Sequence, residues 1–193
     1  MSTRLDSWLA AVVATPGLTA LRDLAEARRV LVEDALRAVP ILERFDGPVV
    51  DVGSGGGSPG IPIADALPQR PVTLLEAERR KCEFLERWAP ANASVVWGRA
   101  EEQEPDSFGV ALAKALAPPP VAAEWCLALV RPGGAAVLFV GPSADVGGLE
   151  SVSERVGGGR PEEHDGLVVL PKLRPTPPGF PRRVGVARKR PLG

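Results

Sequence analysis

Apolar residues at Leu5, Trp8, Leu9, Val12 and Val13 recur at three- and four-residue intervals over residues 4–14, predicting an amphipathic helix ended by Pro16-Gly17. A longer helical pattern over residues 18–39 places Leu21, Leu24, Leu31, Ala35 and Leu36 on one face, and Pro40 and Gly47-Pro48 close it. The period then changes. Short apolar runs at 48–50, 71–75, 94–97, 108–113, 135–140 and 167–170 read as strands, and residues 61–67, 78–88 and 121–130 read as helices. Arg131-Pro132-Gly133-Gly134 reads as a turn, and residues 145–160 carry no periodic signal. Strands alternating with helices predict an α/β protein: a mainly parallel sheet with helices on both faces and a short N-terminal helical cap.

The chain of 193 residues is the size of one domain. It divides into N-terminal helices (1–47), an alternating core (48–173) and a Pro-rich tail (174–193). No apolar run approaches the ~20 residues of a membrane span, and the first 30 residues lack a signal-peptide pattern. A cytoplasmic protein with no membrane partner is expected. Cys82 and Cys126 fall in predicted helices without metal spacing, as buried thiols of a reducing compartment would. The single histidine, His164, falls in a polar loop, which argues against zinc chemistry and Ser-His catalysis. The net charge of −1 is uneven. From Pro171 to Gly193 there are seven basic residues and no acidic one, and the other 16 basic and 24 acidic residues leave −8 on the rest. A basic end on an acidic body suits a polyanion such as RNA; a solvated tail has the same composition.

The most informative stretch is residues 49–62, VVDVGSGGGSPGIP. An apolar run reaches Asp51, four glycines follow within five positions, and a helical pattern begins after Ser58-Pro59, which reads as an N-cap followed by a first-turn proline. Glycines are needed where the backbone takes positive φ or a ligand approaches it closely. Gly55, Gly57 and Gly60 match a dinucleotide G-x-G-x-x-G but start late after the strand. Asp51-x-Gly53-x-Gly55-x-Gly57 fits a loop for S-adenosylmethionine better. Glu76 lies 25 residues beyond Asp51 at the end of the second predicted strand, where a carboxylate can accept the ribose hydroxyls of an adenosine. That placement supports a nucleoside ligand without choosing between the two cofactors.

These residues resemble the ribosomal RNA small subunit methyltransferase G (GidB-like) family. Gly53 to Pro62 looks like its G-x-G-x-G-(Phe or Leu)-P-G-I-P. Glu76 with Arg80-Lys81 and Phe84-Leu85 looks like its acidic-x₃-K-K-x₂-F-L, and Arg99-Ala100-Glu101 looks like its R-A-E. Lys114-Ala115 looks like its R-A, and residues 180–192 are similar to its Y-P-R-x₂-G-x₃-K-x-P-L end. The resemblance implies a class I, Rossmann-like methyltransferase fold and N7-methylation of one guanine in 16S rRNA. It implies cofactor contacts at Gly53, Ser58, Ala100, Glu101 and Lys114, beside Asp51, Gly55, Gly57 and Glu76 from the loop pattern. Lys114, near the methionine end, is also the candidate catalytic residue. Arg182, Arg183, Arg188, Lys189 and Arg190 are the candidate RNA contacts, on bare rRNA or an assembled small subunit; no DNA partner is expected, and a monomer is. Four positions depart from the family pattern. Leu31 stands where a histidine usually lies three before Asp34, Ser58 replaces an aromatic or leucine, Lys114 replaces arginine, and Val140-Gly141 lacks a lysine.

Guanine N7 carries a lone pair and no proton, so it attacks a sulfonium methyl without a general base. Positioning and charge stabilisation supply the rate. A chain without a catalytic histidine, cysteine or paired acids suits that reaction better than methylation of a pyrimidine carbon, which needs a nucleophile. Two alternatives share the sequence features: a divergent member methylating another acceptor, and a non-catalytic RNA- or ribosome-binding module.

Overall fold

The computed structural model describes residues 3–142 and 144–192; Met1, Ser2, Ser143 and Gly193, which the single-domain span 1–193 includes, lie outside them. Helix α1 (Thr3–Ala14) forms as its periodicity predicts and buries Leu5, Trp8, Leu9 and Val12. The second helix, expected from residue 18, starts only at Leu24 and is divided. α2 (Leu24–Arg28) is capped by the Asp23 carboxylate, which accepts the Glu26 amide at 2.8 Å. It runs through a π-helical turn (Arg29–Glu33) into α3 (Asp34–Leu36). Pro40 does not end the helical region; it sits in the first turn of α4 (Val39–Leu42), where a missing N–H does no harm. Leu24, expected inward, is exposed; Ala35 is buried as expected, together with Ala27 and Val32.

Strand β1 (Val49–Val52) leads through the glycine loop to α5 (Gly60–Ala66). β2 (Val72–Glu76), α6 (Arg79–Trp88) and β3 (Ala93–Trp97) follow. After a 3₁₀ turn at Ala100–Glu102 come β4 (Phe108–Lys114), α7 (Pro119–Leu129) and β5 (Val130–Phe139). The predicted turn 131–134 belongs to β5: its pairing with β4 shifts register between Phe108 and Val110 and resumes at Ala135. Residues 145–160, silent in the sequence, contain α8 (Leu149–Arg155). His164 lies not in a loop but in the short strand β6 (Glu162–His164), which pairs antiparallel with β7 (Leu167–Pro171). The basic end carries one more turn, α9 (Val186–Lys189).

The seven strands order as β3-β2-β1-β4-β5-β7-β6, with β1 to β5 parallel and β7 antiparallel to β5. Alternation along each strand divides the core in two. Val49, Leu74, Val110, Leu112 and Val137 face α1 to α6. Val50, Leu75, Ala111, Ala113 and Leu138 face α7 to α9. α7 is covered on nearly every side, so its sequence is apolar almost throughout, and Glu124 within it is 1% exposed. β1 and β4 pair at the sheet centre, where the strand order reverses; this is the switch point at which open α/β sheets bind ligands beyond the carboxyl ends of their strands. No described helix is long and apolar enough to cross a membrane.

Candidate active site

At that switch point a cavity of about 640 Å³ opens, a size typical of ligand pockets. The glycine loop forms its floor. Gly53, Gly55 and Gly57 have φ of 73°, 55° and 107°, so the every-second-residue spacing marks the three left-handed positions. Gly60 serves differently. A Cβ there would run into the Leu74 side chain and come within 2.7 Å of Asp51 Oδ2. Its bare amide instead donates to that oxygen at 3.0 Å.

Two acidic side chains support the loop from below. Glu76, at the carboxyl end of β2 and 6% exposed, accepts the Gly55 amide on Oε2 and the Glu78 amide on Oε1, each at 2.8 Å, and lines the cavity. Asp51 is 1% exposed, and its Oδ1 has no hydrogen-bond partner. Burial pushes its carboxyl up from 3.8 to about 7; the Gly60 bond opposes the shift and the nearby Glu76 charge adds to it. The folded protein therefore holds a proton on Asp51 across an interval where the unfolded chain has released it, and stability falls as pH rises from about 4 to about 7. The loss is on the order of 4 kcal/mol over the full interval. Thermal melts of the wild type should fall through this range, and Asp51→Asn should flatten the slope. An equal slope in the variant would remove Asp51 as its source.

The walls come from three other regions. Ala100 and Glu101 line one end, and Val30, Leu31 and Lys114 line another. Trp125 and Arg188 form a third wall, with the Arg188 guanidinium 5.3 Å from the indole centroid. The Lys114 ammonium donates to the Val30 carbonyl at 2.5 Å and pairs with Asp34 Oδ2 at 2.6 Å.

The family model described as rRNA small subunit methyltransferase G (GidB) matches residues 4–146. The ribosomal RNA small subunit methyltransferase G of Synechococcus sp. (strain JA-2-3B'a(2-13)) is 36% identical over 168 residues, covering 75% of this chain and 64% of the relative. That of Synechococcus elongatus is 34% identical over 201 residues, covering 91% of this chain and 82% of the relative. The chain belongs to the rRNA small subunit methyltransferase G family. The structure of a T. thermophilus 16S rRNA N2 G1207 methyltransferase with AdoMet and guanosine overlays with a TM-score of 0.52 at 16% identity. It covers 69% of this chain and 37% of that one, and the likeness shows the fold. The fold is thus that of a class I methyltransferase, and the family's cofactor is S-adenosylmethionine.

Against the family's motifs, the structure gathers Gly53, Gly55, Ser58, Glu76, Ala100, Glu101 and Lys114 around the one cavity. Asp51 and Gly57 do not line it: the first anchors Gly60 beneath the loop, and the second is packed under Ile61 and Trp8. Ser58 is not a helix cap either. The helix starts without a side-chain cap, and the Ser58 hydroxyl donates to the Leu31 carbonyl at 2.7 Å. The basic end is docked rather than a free tail. Arg182 grips the buried Glu124 carboxylate with two N–H groups, Nε to Oε1 at 2.6 Å and Nη2 to Oε2. Gly185 N donates to Glu101 Oε1 at 3.1 Å. Arg182, expected as an RNA contact, is thus largely buried on Glu124, while Arg183, Arg188, Lys189 and Arg190 are exposed. Trp125 was missed: it sits one residue after Glu124 in a helix that reads as plain core, and only the fold brings it to the cavity.

Proposed function

We propose that the chain is an S-adenosylmethionine-dependent methyltransferase that modifies N7 of a guanine in 16S rRNA, and that the cavity at the β1/β4 switch point holds both donor and acceptor base. The observation that carries this reading is the glycine loop bonded to Glu76 at the floor of that cavity, in a chain of this family. Glu76 would hold the ribose hydroxyls, Gly53 and Gly55 would let the donor lie close to the backbone, and Ala100 and Glu101 would flank the adenine. The bound cofactor supplies an electrophilic methyl on a sulfonium. The chain's residues have no proton to remove, because guanine N7 has none. They orient the lone pair in line with the methyl and exclude water. Arg188, which lines the cavity, and Arg183, Lys189 and Arg190, exposed on the same segment, are proposed as phosphate contacts, which makes affinity for the small subunit fall steeply with added salt.

The test is methyl transfer from labelled S-adenosylmethionine to small-subunit particles lacking the modification, with the product base identified. Label on guanine N7 is the expected result. Cofactor binding with label elsewhere would point to a different acceptor, and RNA affinity without cofactor binding to a non-catalytic module.

A further inference from the structure

The helix that walls the cavity is not regular where it does so. Over Arg29–Glu33 it widens into a π-turn, and the Asp34 amide donates to the Arg29 carbonyl, five residues back, rather than to Val30. π-Turns of this kind concentrate at functional sites because they turn backbone groups out of the ladder. Here two carbonyls find partners outside the helix. Val30 O accepts Lys114 Nζ at 2.5 Å, and Leu31 O accepts Ser58 Oγ at 2.7 Å. Lys114 also pairs with Asp34 Oδ2 at 2.6 Å, closing a loop over the widened turn, and its ammonium lies 5.4 Å from the Phe139 ring. The Asp34 Oδ1 atom is taken by Arg37 at 2.7 Å.

Each partner comes from an element that also builds the cavity: Ser58 from the glycine loop, Lys114 from the end of β4. Val30, Leu31, Ser58 and Lys114 all line the cavity. The positive charge of Lys114 is already matched by Asp34, which leaves it poorly placed to neutralise a donor carboxylate. Three of the four departures from the family pattern, Leu31, Ser58 and Lys114, also meet in this one cluster.

We propose that Ser58 and Lys114 are positioning residues that latch the widened turn as one wall of the methyl-transfer cavity and so set the approach of the acceptor base. The inference rests on the methyltransferase reading of the same cavity. Because the two residues hold one element, loss of either releases it, and loss of both adds little.

The test uses the full chain with Ser58→Ala, Lys114→Met, the double variant and Lys114→Arg. Amide exchange over residues 24–36 reads the wall directly, without turnover. Calorimetry reads cofactor affinity, and transfer to small-subunit particles reads kcat and acceptor KM. Each single variant should speed exchange of the wall about tenfold and lower kcat/KM about tenfold, with cofactor Kd within about threefold of native. The double should lie within about threefold of the worse single, and Lys114→Arg should restore most of the loss. Unchanged exchange, multiplicative effects, or cofactor affinity weakened beyond threefold in Lys114→Met would overturn the latch. Wild-type protein that transfers no methyl to the particles would refute the proposed function, while the exchange measurement would still decide the latch.

Discussion

Glu76→Ala should raise the cofactor Kd by 100-fold or more, about 2.7 kcal/mol. The reason lies in what the carboxylate does without ligand. Both oxygens are occupied from the protein side, one by the Gly55 amide and one by the Glu78 amide. Removing the carboxylate leaves two donors without a partner, at about 1–3 kcal/mol each where water does not reach them. The loop then loses the conformation that admits the donor, and the ribose loses its acceptor. Glu76→Gln separates the two effects. One amide oxygen still accepts a loop N–H, but the side-chain NH₂ faces the other N–H donor, so binding should weaken by about tenfold rather than vanish. Calorimetry with S-adenosylmethionine measures both, and thermal melts establish that the variants are folded. Native affinity in Glu76→Ala would sink the ribose assignment and the account of the loop together.

The place of Glu76 at the cavity was legible from sequence because it depends on a short-range pattern: a strand end at a fixed distance from a glycine loop. The loop was legible for the same reason, and the three glycines chosen by spacing are those with positive φ. Readings failed where a distant partner decides the local structure. Ser58 and Pro59 have the composition of a helix start, yet the Leu31 carbonyl, 27 residues away, takes the hydroxyl. A π-turn inserts one residue into a helix without disturbing the run of apolar positions enough to show, so residues 18–39 read as one helix. The strand β6 is an edge with all three residues exposed, and an edge strand in water has no apolar signature. The basic end read as a phosphate-binding or solvated tail on charge alone, since no pattern ties Arg182 to a glutamate 58 residues earlier in an otherwise apolar helix.

That glutamate makes the second large effect a test of how the C-terminal segment is held. In Arg182→Ala the Glu124 carboxylate, 1% exposed on α7, loses its ion-pair partner inside the protein. Breaking one side of a buried pair typically destabilises by about 3–5 kcal/mol. In a chain of this size that is a fall in Tm of about 10 °C. Arg182→Lys should recover little, because an ammonium cannot match both carboxylate oxygens as the guanidinium fork does. The decisive variant is Arg182→Ala with Glu124→Leu. If the loss comes from a stranded charge, removing the second charge restores much of the Tm, since apolar packing replaces a buried pair at little or no penalty. If the loss comes from missing packing around Arg182, the double variant is no better than the single. Function should part from stability here. Arg182 also donates to the Arg190 carbonyl at 2.9 Å, so it ties down both ends of the turn that carries Arg188 to the cavity wall. The double variant should therefore melt near the wild-type temperature and yet bind the cofactor more weakly, because Gly185 on Glu101 and Arg188 on Trp125 no longer have a fixed anchor.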